Sequence, residues 1–379
     1  MAPVDAVIAG HLCLDIFPQL APGDLPELFV PGRVVEIGPV TLEAGGVTAN
    51  TGRALQRLGI ATRLMGKVGD DAFGRIILDL IGQDDPALVE DMIVAPGEAS
   101  SYTIVISPPG TDRFFMHCGG ANHSFSAEDV PYDRLRDARL FHYGYPPYMR
   151  RMYEREGAEL EQMYRRAKAT GVVTGLDLAL PDPQGPSGQA DWRGILRRTL
   201  PHVDLFLPSL DELAFMLRPG LDVYARTDDT LISALAEESL AMGAGVVVIK
   251  LGDRGLYVCT APRLTFAPDE SWLGRELWAP IFRAEPLVGT TGSGDTTIAG
   301  FLAGFLRGQT LEAALTSAVA VGACNVEAAD ALSGVRSWDA TQARIAAGWA
   351  RGPLAIHAPG WQWDDPRAVW RGPHDKGAA

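Results

Sequence analysis

The stretch that most constrains this chain is residues 246–251, VVVIKL, apolar at every position but Lys250. A strand with apolar side chains on both alternating faces must be covered on both faces, as in a parallel sheet flanked by helices. Similar runs recur along the chain, with helical periods between them. Residues 4–14 read as a buried first strand, with Asp15 at its carboxyl end. Residues 61–68, 140–143, 172–178 and 204–207 read as further strands. Residues 47–58, 72–81, 154–170, 230–242, 297–306 and 311–328 carry helical spacing. Strands alternating with helices predict an α/β fold built on a doubly wound, mostly parallel sheet. Residues 33–42 and 101–117 interrupt the alternation with extra β-rich segments, the second turning at Pro108-Pro109-Gly110. Two such insertions can pair into a small sheet of their own.

Composition narrows the function. Of 379 residues, 47% are apolar, enough for a large core, and the formal net charge is −14. Such a surface repels phosphate backbones and anionic lipid, which argues against nucleic acid and membranes as partners. A small anionic ligand stays open, because local amides can reverse the local field. No apolar run of about 18 residues predicts a membrane span. The first residues lack the basic start of a leader, and Cys13, Cys118, Cys259 and Cys324 are scattered, as in a reduced, cytoplasmic protein. Residues 352–379 have weak periodicity and read as a C-terminal extension.

The sharpest chemical signal is Gly289-Thr-Thr-Gly292-Ser293-Gly294-Asp295-Thr-Thr, followed by an apolar helix. Amides of residues 292–294 at a helix N-terminus would bind an anion. Asp295 beside them could take a proton from a hydroxyl while the amides hold a transferring phosphoryl group. Alone, the motif is equally a glycine turn with an acidic helix cap. It is neither GxxxxGK[ST] nor GxGxxG, whose third glycine would fall at Thr297. Upstream, Gly45-Gly46-Val-Thr-Ala-Asn50 opens a helix, and Gly66-Lys-Val-Gly-Asp-Asp-Ala-Phe-Gly74 joins a strand to a helix. His117, Cys118 and His123 lack a fourth ligand and read as packing, and Tyr145 lies in a loop read as a pocket wall or a Pro-stiffened turn. Arg150, Arg151, Arg165, Arg166 and Lys168 read as a solvated face, and Asp177 as a supporting residue or a helix cap.

Taken in order, GGVTANTGRALQRLG, MGKVGDDAFG, GGANHSF, VVVIKLGDRGLY and TTGSGDTTIAGFLAGFL resemble the ribokinase / PfkB carbohydrate kinase family from about residue 4 to about residue 334. The resemblance implies a ribokinase-like fold over residues 1–350, with a small β lid from about 17–44 and 98–120, and residues 351–379 beyond it. It implies transfer of the γ-phosphoryl of ATP to a hydroxyl of a small carbohydrate, with Mg²⁺. Asp295 would be the base, and Gly292, Ser293 and Gly294 the anion hole. Asp15, Gly45, Gly46 and Asn50 would bind substrate hydroxyls. The family's Asn-x-x-Glu falls on Ser209 to Glu212, so Glu212 would serve the metal and Ser209, in place of Asn, would act through water. Lys250 and Gly252 would lie near the nucleotide phosphates, and Ala323, Cys324 and Asn325 in the adenine pocket. Gly289 stands where the family usually has an Asp of a monovalent cation site, which puts K⁺ activation in doubt. The lid implies a homodimer. No basic cluster marks a phosphosugar, so the expected acceptor is unphosphorylated. A nucleoside kinase and a catalytically silent sugar- or nucleotide-binding protein are the alternatives.

Overall fold

The computed structural model describes residues 4–20, 30–107, 114–221 and 229–377. In chain order its strands are β1 (Ala6–Gly10), β2 (Cys13–Pro18), β3 (Val40–Gly45), β4 (Thr62–Met65), β5 (Lys67–Gly69), β6 (Ile93–Ala95), β7 (Tyr102–Ile106) and β8 (Phe114–Cys118). There follow β9 (Leu140–Gly144), β10 (Val173–Leu176), β11 (Leu205–Phe206), β12 (Val246–Lys250), β13 (Leu256–Thr260), β14 (Glu276–Ala279), β15 (Gln362–Asp364) and β16 (Val369–Arg371). The large sheet runs β15-β16-β14-β13-β12-β11-β10-β9-β1-β4. From β4 to β12 every pairing is parallel, and beyond β12 the pairings are antiparallel.

Side-chain alternation sorts the strands into two buried faces. Ala6 and Ile8 of β1 and Val246 and Val248 of β12 join one apolar cluster. Val7 and Ala9, with Val247 and Ile249, join the other. Burying a Val or Ile is worth roughly 1.5–3 kcal/mol, so a charged residue at Val248 would break this layer. Helices α1 (Val47–Arg57), α2 (Ala72–Gly82) and, later, Ser293–Leu306 and Leu311–Asn325 cover the first face. Helices α3 (Ala158–Lys168), α4 (Trp192–Thr199), α5 (Leu210–Leu217) and α6 (Asp229–Ala241) cover the second. The two late helices are α7 and α8; α9 (Trp338–Ala346) follows them. This is the doubly wound α/β arrangement expected.

Two boundaries differ in ways that matter. The expected first strand, 4–14, is two strands in two sheets. The chain leaves β1 at Gly10, and His11 and Leu12 carry it into β2, which pairs antiparallel with β3 and parallel with β7. Gly10 permits the turn, with φ of +123° and no room for a side chain against the Gly144 carbonyl. Asp15 is therefore carried by the small sheet, β3-β2-β7-β8, and not by the end of β1. Helix α7 begins at Ser293 rather than 297, so the second half of the glycine motif, from Ser293, forms its first turn.

The small sheet takes β3 from residues 40–45 rather than 33–42, because 33–39 form no strand. The turn expected at 108–110 lies outside the described residues. At the other end, β15 and β16 continue the large sheet beyond β14, so residues 362–371 pack as part of it. From β1 the chain moves outward to β4 and then returns to β9 on the other side of β1. The carboxyl ends of β1 and β9 thus flank the switch-point crevice where such sheets bind ligands. No helix among the described residues is long and apolar enough to cross a membrane.

Candidate active site

Asp295 lies in the first turn of α7 with 4% of its surface exposed. Its carboxylate is held from both sides: Oδ2 accepts from Asn50 Nδ2 at 2.9 Å and Oδ1 from the Tyr145 hydroxyl at 2.8 Å. The Thr51 hydroxyl donates to the Asp295 carbonyl at 3.4 Å. Burial pushes the Asp295 carboxyl above its ordinary range, while Asn50, Tyr145 and the positive Lys250 pull it back. Tyr145 follows β9 in a left-handed conformation, φ 63°. A bulky residue there stores backbone strain, as functional sites often do.

The loop before α7 turns at Gly292, φ 69°, where a Cβ would lie 2.7 Å from that of Ala331. Gly292, Ser293 and Gly294 all line a cleft of about 700 Å³, together with Tyr145, Ser209, Asp211, Glu212, Lys250, Gly252 and Asp295. The Ser293 amide already donates to the Thr290 carbonyl at 3.2 Å. An anion hole here therefore rests on the amides of Gly292 and Gly294, not on all of 292–294. Gly289 donates to the Val326 carbonyl at 3.3 Å and brings no carboxylate to the loop.

Lys250, at the end of β12, places Nζ 2.7 Å from Asp177 Oδ1 and 3.9 Å from Glu212 Oε2. Burial lowers the ammonium's hold on its proton, but Asp177 and Glu212 more than offset that and favour the charged form. Ser209 caps α5: its amide donates to Glu212 Oε2 at 2.7 Å, and its hydroxyl is shared between the Glu212 amide and Asp211. The hydroxyl expected to reach toward the metal is thus spent inside the cap. The Glu212 carboxylate still faces the cleft. Mg²⁺ takes one or two carboxylates plus phosphates and water, so this hard oxygen donor fits it. Among the described residues no three His, Cys, Asp or Glu side chains converge into a ready-made cage.

A second cavity, about 660 Å³, opens on the other side of Asp295. Asp15, Gly46, Asn50 and Asp295 line it, as expected of acceptor-binding residues, and Gly45 backs Asp15. Asn50 spends its side-chain amide nitrogen on Asp295 and leaves Oδ1 without a partner among the described residues. Burial raises the Asp15 carboxyl to about 6, opposed by the Cys13 thiol, whose Sγ lies 3.1 Å away. His117 and His123 line this cavity rather than merely packing, and Arg150 lines it too while remaining exposed, as expected of a solvated face. His11, Thr103, Tyr148 and Asp182 also line it and were not expected there. Their one sequence signal is His11, a polar residue interrupting an apolar strand.

On the far side of the cleft, an apolar pocket of about 530 Å³ includes Lys250, Gly252, Ser293, Gly294, Val319, Gly322, Ala323 and Val326. Cys324 and Asn325 do not line it. Both are fully buried: Cys324 faces Arg344, and Asn325 donates to the Thr291 carbonyl at 2.8 Å, so it braces the loop before α7. Along the helix, Ala323 is turned to the pocket and its two followers away. The three spaces adjoin one another: the 660 and 700 Å³ cavities share Tyr145, Gly292 and Asp295, and the 700 and 530 Å³ cavities share Lys250, Gly252, Ser293 and Gly294.

A family model described as pfkB family carbohydrate kinase matches residues 16–337. The chain is 26% identical over 259 residues to an uncharacterized sugar kinase of Archaeoglobus fulgidus, spanning 68% of this chain and 88% of that protein. It is 25% identical over 294 residues to fructokinase-2 of Zea mays, 77% of each chain. A solved structure of Arabidopsis thaliana ribokinase complexed with ribose and ATP superposes with a TM-score of 0.70 at 21% identity, covering 90% of this chain and 98% of that one. At that identity the likeness speaks for the fold alone, and the fold is ribokinase-like.

Proposed function

The chain belongs to the pfkB family of carbohydrate kinases, and on that premise we propose that it transfers the γ-phosphoryl group of ATP to a hydroxyl of a small, unphosphorylated sugar. The observation that carries this reading is Asp295, buried at the joint between the acceptor cavity and the anion cleft and held from both sides. Asp295 accepts the proton of the acceptor hydroxyl. The oxygen attacks the γ-phosphorus, the bond to the β-phosphate oxygen breaks, and ADP leaves. Amides of Gly292 and Gly294 face the charge that spreads over the transferring group, and Lys250 adds its fixed positive charge. Glu212 would hold Mg²⁺, which neutralises phosphate charge when bound. The apolar pocket against Val319, Ala323 and Val326 fits an adenine ring.

The small sheet is the natural lid over the acceptor, and its closure would keep water from the phosphoryl group. Phe114, Phe115 and Met116 on β8 are 38%, 59% and 48% exposed. Apolar exposure on an edge strand suits a second copy of the chain, so light scattering should give a dimer mass. The reading is tested by ADP release with Mg-ATP across free sugars, sugar acids, polyols and nucleosides, with the product identified by mass. Turnover on free sugars with a phosphorylated product supports it. Turnover on nucleosides alone replaces it with the nucleoside kinase. ATP binding without turnover on any acceptor favours the silent binding protein.

A further inference from the structure

His11 occupies the short link between β1 and β2, where the chain passes from the large sheet to the small one. Its backbone is pinned at both ends: the amide donates to the Gly144 carbonyl at 3.3 Å, and the carbonyl accepts from Thr48 at 3.2 Å. The ring lines the acceptor cavity yet is only 3% exposed. It packs beside His117, Tyr145 and Tyr148, with centroids 5.0, 5.9 and 5.3 Å away. Neither ring nitrogen has a hydrogen-bond partner among the described residues. Burial, reinforced by His117 and His123, pushes its pKa well below the ordinary imidazole value, so the ring is neutral. A neutral imidazole carries one donor and one acceptor, and burying such groups unpaired is costly.

The paired glycines explain the space around it. A Cβ on Gly45 would fall 1.9 Å from Asp15 Oδ2, and one on Gly46 would fall 2.6 Å from His11 Nδ1. Each glycine clears room against a different polar side chain, and the two side chains face the same cavity. An alcohol group both donates and accepts, so it can satisfy an imidazole that a carboxylate or phosphate could satisfy only in part. Among the described residues, the charged side chains lining the cavity are Asp15, Asp182, Asp295 and Arg150, a balance that repels an anionic acceptor.

We propose that His11 is a specificity-determining residue of the acceptor site: beside Asp15, across the gap left by Gly45 and Gly46, its imidazole reads a hydroxyl of an uncharged polyhydroxy acceptor. This rests on the sugar-kinase reading above. It is tested with wild type, His11→Leu and His11→Asn, all carrying Tyr145 and Asp295 unchanged. Initial rates are taken with Mg-ATP on D-ribose, D-fructose, D-glucose, D-gluconate and D-ribose 5-phosphate, then on the monodeoxy analogues of the best acceptor. Leaving one buried polar pair unmade predicts an acceptor KM raised about ten- to a hundredfold in His11→Leu. The KM for ATP and kcat should stay within a few-fold. One monodeoxy analogue should be used equally by wild type and His11→Leu, because the hydroxyl that His11 reads is gone. His11→Asn keeps a donor and an acceptor and should fall between.

The assignment is overturned if both variants keep the wild-type ranking of acceptors and analogues, or if kcat and the ATP KM fall away together with the acceptor KM. Should His11→Leu fail to fold, His11→Asn decides alone, by shifting the deoxy-to-parent ratio or leaving it fixed. Wild-type turnover confined to gluconate or the phosphosugar overturns the uncharged acceptor while the kinase reading stands. No wild-type turnover on any sugar overturns the kinase reading and this assignment with it.

Discussion

The two sides of Asp295 are built on different physics. On the phosphate side, a contiguous turn supplies backbone amides, and a buried Lys250–Asp177–Glu212 group supplies fixed charge. On the side proposed to hold the acceptor, rings of His11, His117, Tyr145 and Tyr148 and separate polar groups such as Asp15 and Thr103 converge from β2, β7, β8 and the loops after β1 and β9. A phosphate is the same group in every turnover, so its site can be rigid, local and charged. An acceptor is read through the positions of its hydroxyls, so its site must be assembled from many remote positions. As proposed, the half facing the phosphates is general chemistry and the half facing the acceptor is selection.

Lys250→Met should give the largest effect and fall on the phosphate side. It strands the Asp177 and Glu212 carboxylates, which costs about 3 kcal/mol of stability, read as a lower Tm. In the folded fraction the ATP KM should rise at least tenfold and the acceptor KM little. An equal rise in both would break the distinction between the sides.

Tyr145→Phe comes next, at the joint. It removes one hydrogen bond to a charged carboxylate, about 1.5 kcal/mol, or roughly tenfold in kcat/KM. It also has a sign. That bond favours the ionised form of Asp295, already raised by burial, so its loss raises the pKa further. The acid limb of the pH–rate profile should move to higher pH in the variant. An unmoved limb would mean that Asp295 is not the group that titrates.

Glu43→Gln is the mildest test and lies in the small sheet, where Glu43 of β3 stands opposite Asp15 of β2. Burial, with Asp330 and Asp15 nearby, raises the Glu43 carboxyl from an ordinary value of 4.5 to about 7. The folded state then holds a proton that the unfolded state releases, so this group favours folding at low pH and loses that effect as pH rises through about 7. Glu43→Gln should therefore raise Tm at pH 8 and match wild type below the ordinary carboxylate value. A lower Tm at pH 8 would show that the carboxylate is needed in its charged form.

The same contrast decides what was legible in the sequence. The Gly292–Asp295 turn and strand β12 are contiguous, so their chemistry and burial could be read from neighbouring residues. Asp295, Lys250 and Glu212 line one cleft. The wall of the second cavity was legible at Tyr145 but not at His11, Thr103 and His117, which meet only because β2 leaves the first sheet. That departure is set by one backbone conformation at Gly10, which residues 4–14 do not announce by hydrophobicity. Ser209 and Asn325 show a different limit. Their positions followed from the family resemblance, but their polar groups are spent on a helix cap and on the loop before α7, and only three-dimensional partners reveal that. Strands β15 and β16 were hidden for a third reason: three-residue strands carry too few positions for a period to show.

The most direct test of the account is single-turnover transfer of labelled γ-phosphate from ATP to the best free sugar by wild type and Asp295→Asn, with ATP affinity measured alongside. The account predicts unchanged ATP binding within about threefold and transfer slowed by at least about a hundredfold. Transfer at the wild-type rate with ATP still bound would contradict it, because the proton would then leave the acceptor by another route.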